Sequence, residues 1–319
     1  MLFSVSGIEV SPWVPPLVAF VISVFTSMGG ISGAFLILPF QVSVLGFTSP
    51  AVSATNQLYN IVAIPSGVYR YIKEGRMAWP LAWIIIIGTL PGVFLGAILR
   101  IRYLLDPKHF KLFAGLVLFY IGIKLIRDLV SSNKADKKQT QVEEKFKEQV
   151  EANQQKNRGN QTLGRETASR VVVNQFSLTR IVYEFQSQTF DINALSLMAL
   201  SFIIGIVGGI YGIGGGAIIA PFLVTLFKLP IYTVAGATLM GTFVTSIAGV
   251  AIYQTLSVFF THTPAAPDWA LGFLFGIGGF AGMYCGARIQ KFVRANVIKW
   301  ILVFCIVFPA AQYVWQFFR

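Results

Sequence analysis

Two glycine clusters hold the residues best suited to chemistry. One reads Met28-Gly29-Gly30-Ile31-Ser32-Gly33, and the other runs Gly208-Gly209-Ile210-Tyr211-Gly212-Ile213-Gly214-Gly215-Gly216. Glycine is poor in a helix interior and well suited to a break. A helix that breaks inside an apolar medium points unpaired backbone N–H groups, with about half a positive charge, into that medium. Such an end holds an anion without a buried Arg or Lys. Neutral polar residues gather at both clusters. Thr26, Ser27 and Ser32 flank the first, and Thr55, Asn56, Gln57 and Asn60 follow it; Thr238, Thr242, Thr245 and Ser246 follow the second. Thr238 and Thr242 are one helical turn apart and share a face. The expected substrate-binding set is Gly29, Gly30, Ser32, Gly33, Thr55, Asn56, Gly214, Gly215, Gly216, Thr238 and Thr242. Gly, Ser and Thr are also the usual residues of close helix packing in membranes, so a packing role stays open for each one.

Other chemistries find no support. His109 lies in a basic loop and His262 in a short polar one. There is no H-E-x-x-H, no Walker lysine motif and no pair of carboxylates. GIGGG is too loose for a dinucleotide fingerprint, and no acidic residue follows at the needed distance. Neither an enzyme nor a metal or cofactor is expected. The expected partners are a small anionic substrate and the lipid bilayer, while the oligomeric state is not legible. Cys285 and Cys305 both lie in apolar runs and read as small packing residues.

The elements that would position these groups are unusually apolar. Hydrophobic residues make up 55% of the 319 and charged residues 12%, and eighteen of the 38 charges fall between Lys134 and Asp191. Apolar segments cover 14–46, 50–70, 79–99, 110–130, 193–229, 232–256, 268–288 and 296–318. Most match the roughly 20 residues needed to cross a hydrocarbon core. Lipid offers the backbone no partner, so such runs must be helical. The first and fifth are too long for one span, and each contains a glycine cluster. Each therefore reads as two arms of roughly 15 residues, about 22 Å, joined by a bend.

The chain also repeats. Ser32-Gly33-Ala34 with Leu38-Pro39-Phe40 answers Gly214-Gly215-Gly216 with Ala220-Pro221-Phe222 at an offset of 182. Ala51 to Thr55 answers Val234 to Thr238, Gly67 and Tyr71 answer Gly249 and Tyr253, and Gly92…Gly96-Ala97 answers Gly282…Gly286-Ala287. Matches in order at nearly constant spacing indicate duplication. The expected organisation is a first transmembrane repeat (1–130), an insertion (131–191) and a second repeat (192–319). Within the insertion, VVVNQF, RIVYEF and QTFDI alternate as strands do. The run Lys134 to Gln161 reads as a solvated helix or a disordered linker.

The net charge of +12 reads as a topology signal rather than as nucleic-acid binding, because Lys and Arg favour the cytoplasmic side of spans. If each half crosses an even number of times, the basic loops divide eight against eight. If each crosses an odd number, 70–76, the insertion flank and 288–299 share a side opposite the loop 100–111 (Arg100, Arg102, Lys108 and Lys111), twelve against four. Odd parity makes the halves inverted and the insertion cytoplasmic. The predicted fold is an all-α polytopic membrane protein of two inverted repeats, each with a glycine-broken helical hairpin, plus a small soluble insertion with β strands. The spans themselves are expected to hold no deep cation or carboxylate, which argues against carboxylate-based proton or sodium coupling. The N-terminus lacks a basic n-region, and no cleaved signal peptide is expected.

GGISGAFLILPF with SPAVSATN, and GGIYGIGGGAIIAPF with AGATLMGTFVTSIAG, resemble the TauE/SafE sulfite exporter family over roughly 14–130 and 193–318. The resemblance implies a permease of the cell membrane for sulfur-containing anions such as sulfite or organosulfonates. The first bend, GGISGA, is less glycine-rich than the second, and the insertion is longer than a minimal family member would carry. Two alternatives stay open: a receptor or scaffold acting through 131–191, and a passive anion channel.

Overall fold

The computed structural model describes residues 1–104, 106–130, 141–151, 170–259 and 265–318. Before the insertion come helices α1 (Val14–Met28), α2 (Ala34–Ser43), α3 (Ala51–Lys73), α4 (Trp79–Tyr103) and α5 (Pro107–Val130). The insertion supplies α6 (141–151) and the strands β1 (Val172–Phe176), β2 (Arg180–Phe185) and β3 (Gln188–Asn193). After it come α7 (Ala194–Tyr211), α8 (Ile219–Thr225), α9 (Ile231–Phe259), α10 (Trp269–Ile289) and α11 (Ala295–Phe318).

Among the described residues, five helices are long and apolar enough to cross a membrane: α4, α7, α9, α10 with the 3-10 turn that follows it, and α11. They are apolar on both sides. Inward residues pack together, while Trp83, Ile87 and Phe94 of α4 and Phe273, Ile277 and Phe280 of α10 stand exposed on the outer face, as a lipid-facing surface requires. Helix α3 is also 23 residues long but is not among the five. It carries the polar run Thr55, Asn56, Gln57 and Asn60, every one of them fully buried, so it lies inside the protein rather than against lipid.

The four arms are unequal, contrary to expectation. Helix α7 has 18 residues and α8 only seven. Gly208 and Gly209 do not break α7 but continue it, because their bare surfaces let it close on its neighbours: a methyl group on Gly209 would meet the Val93 carbonyl oxygen at 2.6 Å. The chain turns instead at Gly212, with φ +77°, and in the first cluster at Gly30, with φ +72°. These two positions are 182 apart, and a left-handed backbone there favours glycine over any residue with a Cβ.

Packing between the two halves follows a repeated scheme. Gly88, Gly92 and Gly96 set α4 against the backbone of α7 at Met198, Phe202 and Ile206; Gly278, Gly282 and Gly286 set α10 against α1 at Pro16, Phe20 and Val24. The second set is the first with the halves exchanged, at offsets of 190 and 182. Added methyl groups at all six glycines would fall within 3.0 Å of that backbone, so each stripe permits the close approach typical of small-residue membrane interfaces. Helix α3 runs antiparallel to α9, with Gln57 against Gly249, Asn60 against Ser246 and Tyr71 against Gly236. Helix α5 likewise runs antiparallel to α11, with Gly115 at Tyr313 and Gly122 at Val307.

The strand reading of 170–191 corresponds to a three-stranded antiparallel sheet, β1-β2-β3. Its inner face docks on the helices: the Tyr183 hydroxyl lies 3.1 Å from Thr233 Oγ1, and the Val171 N–H donates to Gly75 O. Helix α6 docks too, rather than standing free. Its Phe146 packs on Tyr232 with ring centroids 4.6 Å apart. Buried Glu143 accepts from the Ile231 N–H at 3.2 Å and pairs with Lys299 at 3.0 Å. Beside it, Glu74 pairs with Arg70 (2.6 Å), Arg76 (2.5 Å) and Lys291 (3.1 Å). Burial pushes the Glu74 carboxyl up, but these cations together hold it below the ordinary carboxylate value. The remainder of the polar run Lys134 to Gln161, namely 134–140 and 152–161, lies outside the described residues.

Candidate functional site

The two chain breaks meet. Helix α3 runs past both and ties them together from one face. Asn56 Nδ2 donates to the Ala34 carbonyl at the start of α2 (2.9 Å) and to the Gly212 carbonyl of the second break (3.2 Å). One turn on, Asn60 accepts from the Ser32 hydroxyl of the first break. Its Nδ2 donates to the Ile213 carbonyl of the second (2.9 Å) and to Ser246 Oγ (3.0 Å). Helix α9 does the same from the other half: Thr238 Oγ1 donates to the Gly30 carbonyl at 2.8 Å.

The second break is lined mainly by α9, with Ser53 of α3 against Gly212 and Thr89 of α4 against Gly215. The Gly215 N–H donates to Thr245 Oγ1 at 3.0 Å. Gly214 lies against Thr242 and Ser246, and Gly216 lies against Thr238 and Thr242. Thr242 itself donates to the Thr238 carbonyl at 2.8 Å. At the first break the Ala34 N–H is met by Ser32 Oγ at 3.1 Å. The side chains in contact here are neutral amides and hydroxyls, every one buried. They leave donors and acceptors in a dry place, where each is worth more than in water.

Of the expected residues, Gly30, Ser32, Asn56, Gly214, Gly215, Gly216, Thr238 and Thr242 come together in this way. Three do not. Gly29 faces Leu302 of α11, and Gly33 packs on Tyr59 and Ser23. Thr55 is engaged elsewhere: its hydroxyl donates to the Ala51 carbonyl and accepts from the Asp268 N–H, both at 2.8 Å. Asp268 caps α10 and accepts from Ser6, so Thr55 serves the start of that helix rather than the breaks.

Asn60, Thr245 and Ser246 meet the breaks as well, and the polar run itself signals them. Two tyrosines fix the helix ends beside the breaks: the Tyr71 hydroxyl donates to the Ser27 carbonyl of α1, and the Tyr253 hydroxyl to the Gly209 carbonyl of α7, both at 3.0 Å. Donors and acceptors alike are 182 apart. The expectation of no deep cation fails at Arg100. Read from the sequence as a loop residue, it lies in α4 with no exposed surface. The missed signal is spacing: Gly88, Gly92, Gly96 and Arg100 fall four apart on one helix face.

No solved structure matches the chain significantly. Among curated proteins it is similar to a probable membrane transporter protein of Xylella fastidiosa, 22% identical over 91% of this chain and 89% of that one. It is also similar to the probable membrane transporter protein YunE of Bacillus subtilis, 21% identical over 91% of this chain and 92% of the relative. A second Bacillus subtilis protein, YdhB, also a probable membrane transporter, matches at 27% over 33% of this chain and 40% of its own. The family model described as sulfite exporter TauE/SafE matches residues 16–313, which takes in both breaks and every helix that lines them. The chain thus belongs to the TauE/SafE sulfite exporter family of membrane transporters.

Proposed function

We propose that this protein carries a small sulfur-containing oxyanion, such as sulfite or an organosulfonate, across the membrane by alternating access about its two chain breaks. The observation that carries this reading is Asn60, one buried side chain that bonds to the first break, the second break and the opposing helix α9 together. Movement of either half past the other must remake these bonds, so a solute held between the breaks is coupled to that movement. The antiparallel courses of α3 against α9 and of α5 against α11 support two inverted repeats, each with a hairpin broken at glycine. That is the architecture in which discontinuous helices form midplane sites. The basic-residue count supports a cytoplasmic insertion in the cell membrane. Export suits an anion, because an inside-negative potential favours its exit by about 2.3 kcal/mol per charge per 100 mV.

The test is flux of radiolabelled sulfite in proteoliposomes, with and without an imposed potential. Saturable, potential-dependent flux is expected, and absence of any anion-dependent flux refutes the proposal. Flux that fails to saturate assigns the protein to passive channels instead. Flux retained after deletion of 131–191 removes the reading of the insertion as a receptor or scaffold that does the work.

A further inference from the structure

Arg100 extends the stripe by which α4 lies on α7. Gly88, Gly92 and Gly96 touch the α7 backbone in turn. The next residue on that face is Arg100, so it reaches the level at which α7 ends and the second break begins. Among the described residues, its electrostatic neighbours include the phenols of Tyr253 and Tyr313. Tyr253 is the residue that holds the Gly209 carbonyl. Tyr313 lies beside Tyr211, the last residue of α7. Ser53 closes the group, in contact with Gly212 and beside Tyr253. All of these side chains are buried.

Placing a guanidinium there gives up its hydration. The equivalent place on α10 shows that joining the helices does not require a charge at this position. It holds Gln290, 190 residues on, whose neutral amide donates to the Met28 carbonyl at the end of α1 (2.5 Å). Arg76 in turn donates to Gln290 and pairs with Glu74 at 2.5 Å. An ionisable group inside a membrane bundle is by default a functional one, and a guanidinium presents parallel N–H donors that fit two oxygens of one anion.

We propose that Arg100 is an anion-coordinating residue at the mouth of the second break, binding two oxygens of an oxyanion with Tyr313 as a further donor and Tyr253 as a positioning residue. This rests on the reading of the protein as an oxyanion transporter and names the cation that recognises the solute. Because the Tyr253 hydroxyl gives its proton to Gly209, it has only lone pairs to offer the guanidinium, whereas Tyr313 is assigned the role of donor to the anion.

The test compares sulfite binding by calorimetry in detergent, and sulfite flux in proteoliposomes, for the wild type and for Arg100→Gln, Arg100→Lys and Tyr313→Phe. Size-exclusion profiles and melting temperature report folding. Arg100→Gln is expected to weaken sulfite binding at least tenfold, equivalent to about 1.4 kcal/mol. Arg100→Lys, which keeps charge without the fork, falls between it and the wild type, and Tyr313→Phe loses a few-fold. Folded Arg100→Gln with unchanged affinity overturns the proposal. If that variant does not fold, Arg100→Lys and Tyr313→Phe decide: unchanged affinity in both overturns it, and weakened binding in both supports it. A wild type that neither binds nor moves sulfite refutes the transport reading and this site with it. A wild type that does both while Arg100→Gln matches it refutes only the site.

Discussion

Replacement of Gly212 by alanine tests whether the breaks are held by close contact or only by chain geometry. Gly212 has φ +77°, and a left-handed conformation costs a residue with a Cβ about 1–2 kcal/mol. The new methyl would also fall within 3.0 Å of the Ser53 backbone in α3, and such overpacking costs about 1–3 kcal/mol more. The sum is about 2–5 kcal/mol. Gly46 is the control. Its φ is +74°, and a methyl there meets nothing within 4 Å, so Gly46→Ala carries only the backbone cost. The two variants therefore differ by about 1–3 kcal/mol. In a thermal melt of detergent-purified protein, Gly212→Ala is expected to lie about 2–4 °C below Gly46→Ala. Gly30→Ala should resemble Gly212→Ala, because its methyl would lie 2.5 Å from the Ala235 Cα. Sulfite flux should fall in the two break variants and persist in Gly46→Ala. Equal melting of Gly212→Ala and Gly46→Ala would refute the contact between the second break and α3.

Tyr253→Phe takes from the Gly209 carbonyl the hydroxyl that meets it, at about 1–3 kcal/mol, whereas after Tyr71→Phe the Ser27 carbonyl keeps the Gly30 N–H at 3.1 Å. The larger loss of melting temperature is therefore expected for Tyr253→Phe, and a larger loss for Tyr71→Phe would refute this reasoning. Lys299→Met strands buried Glu143, at about 3 kcal/mol. Hydrogen exchange in residues 172–193 should quicken as α6 loosens, and the double variant Glu143→Gln/Lys299→Met should recover part of the loss. Exchange rates left unchanged by Lys299→Met would show that this pair does not hold the insertion in place.

Local composition is enough to place most of what spans this protein. An 18-residue window with few charges specifies a helix in lipid wherever it stands in the chain, and alternation in 170–191 specifies strands because a pleated backbone sends neighbours to opposite faces. The recurring motifs are legible for a similar reason, since they lie within the order of residues. Thr55 and Arg100 mark where that ends. Their types suggested a binding hydroxyl and a loop cation, yet Thr55 is engaged by Asp268, 213 residues away, and Arg100 is carried inward by a glycine stripe whose partner is α7. Gly208 and Gly209 look like a break, but Gly208 packs on the backbone of Gly214 and Gly215, and Gly209 on that of α4. Only the relative register of packed helices decides such matters. A side chain's neighbours in a bundle come from other helices, and one turn of slip between two helices exchanges them all.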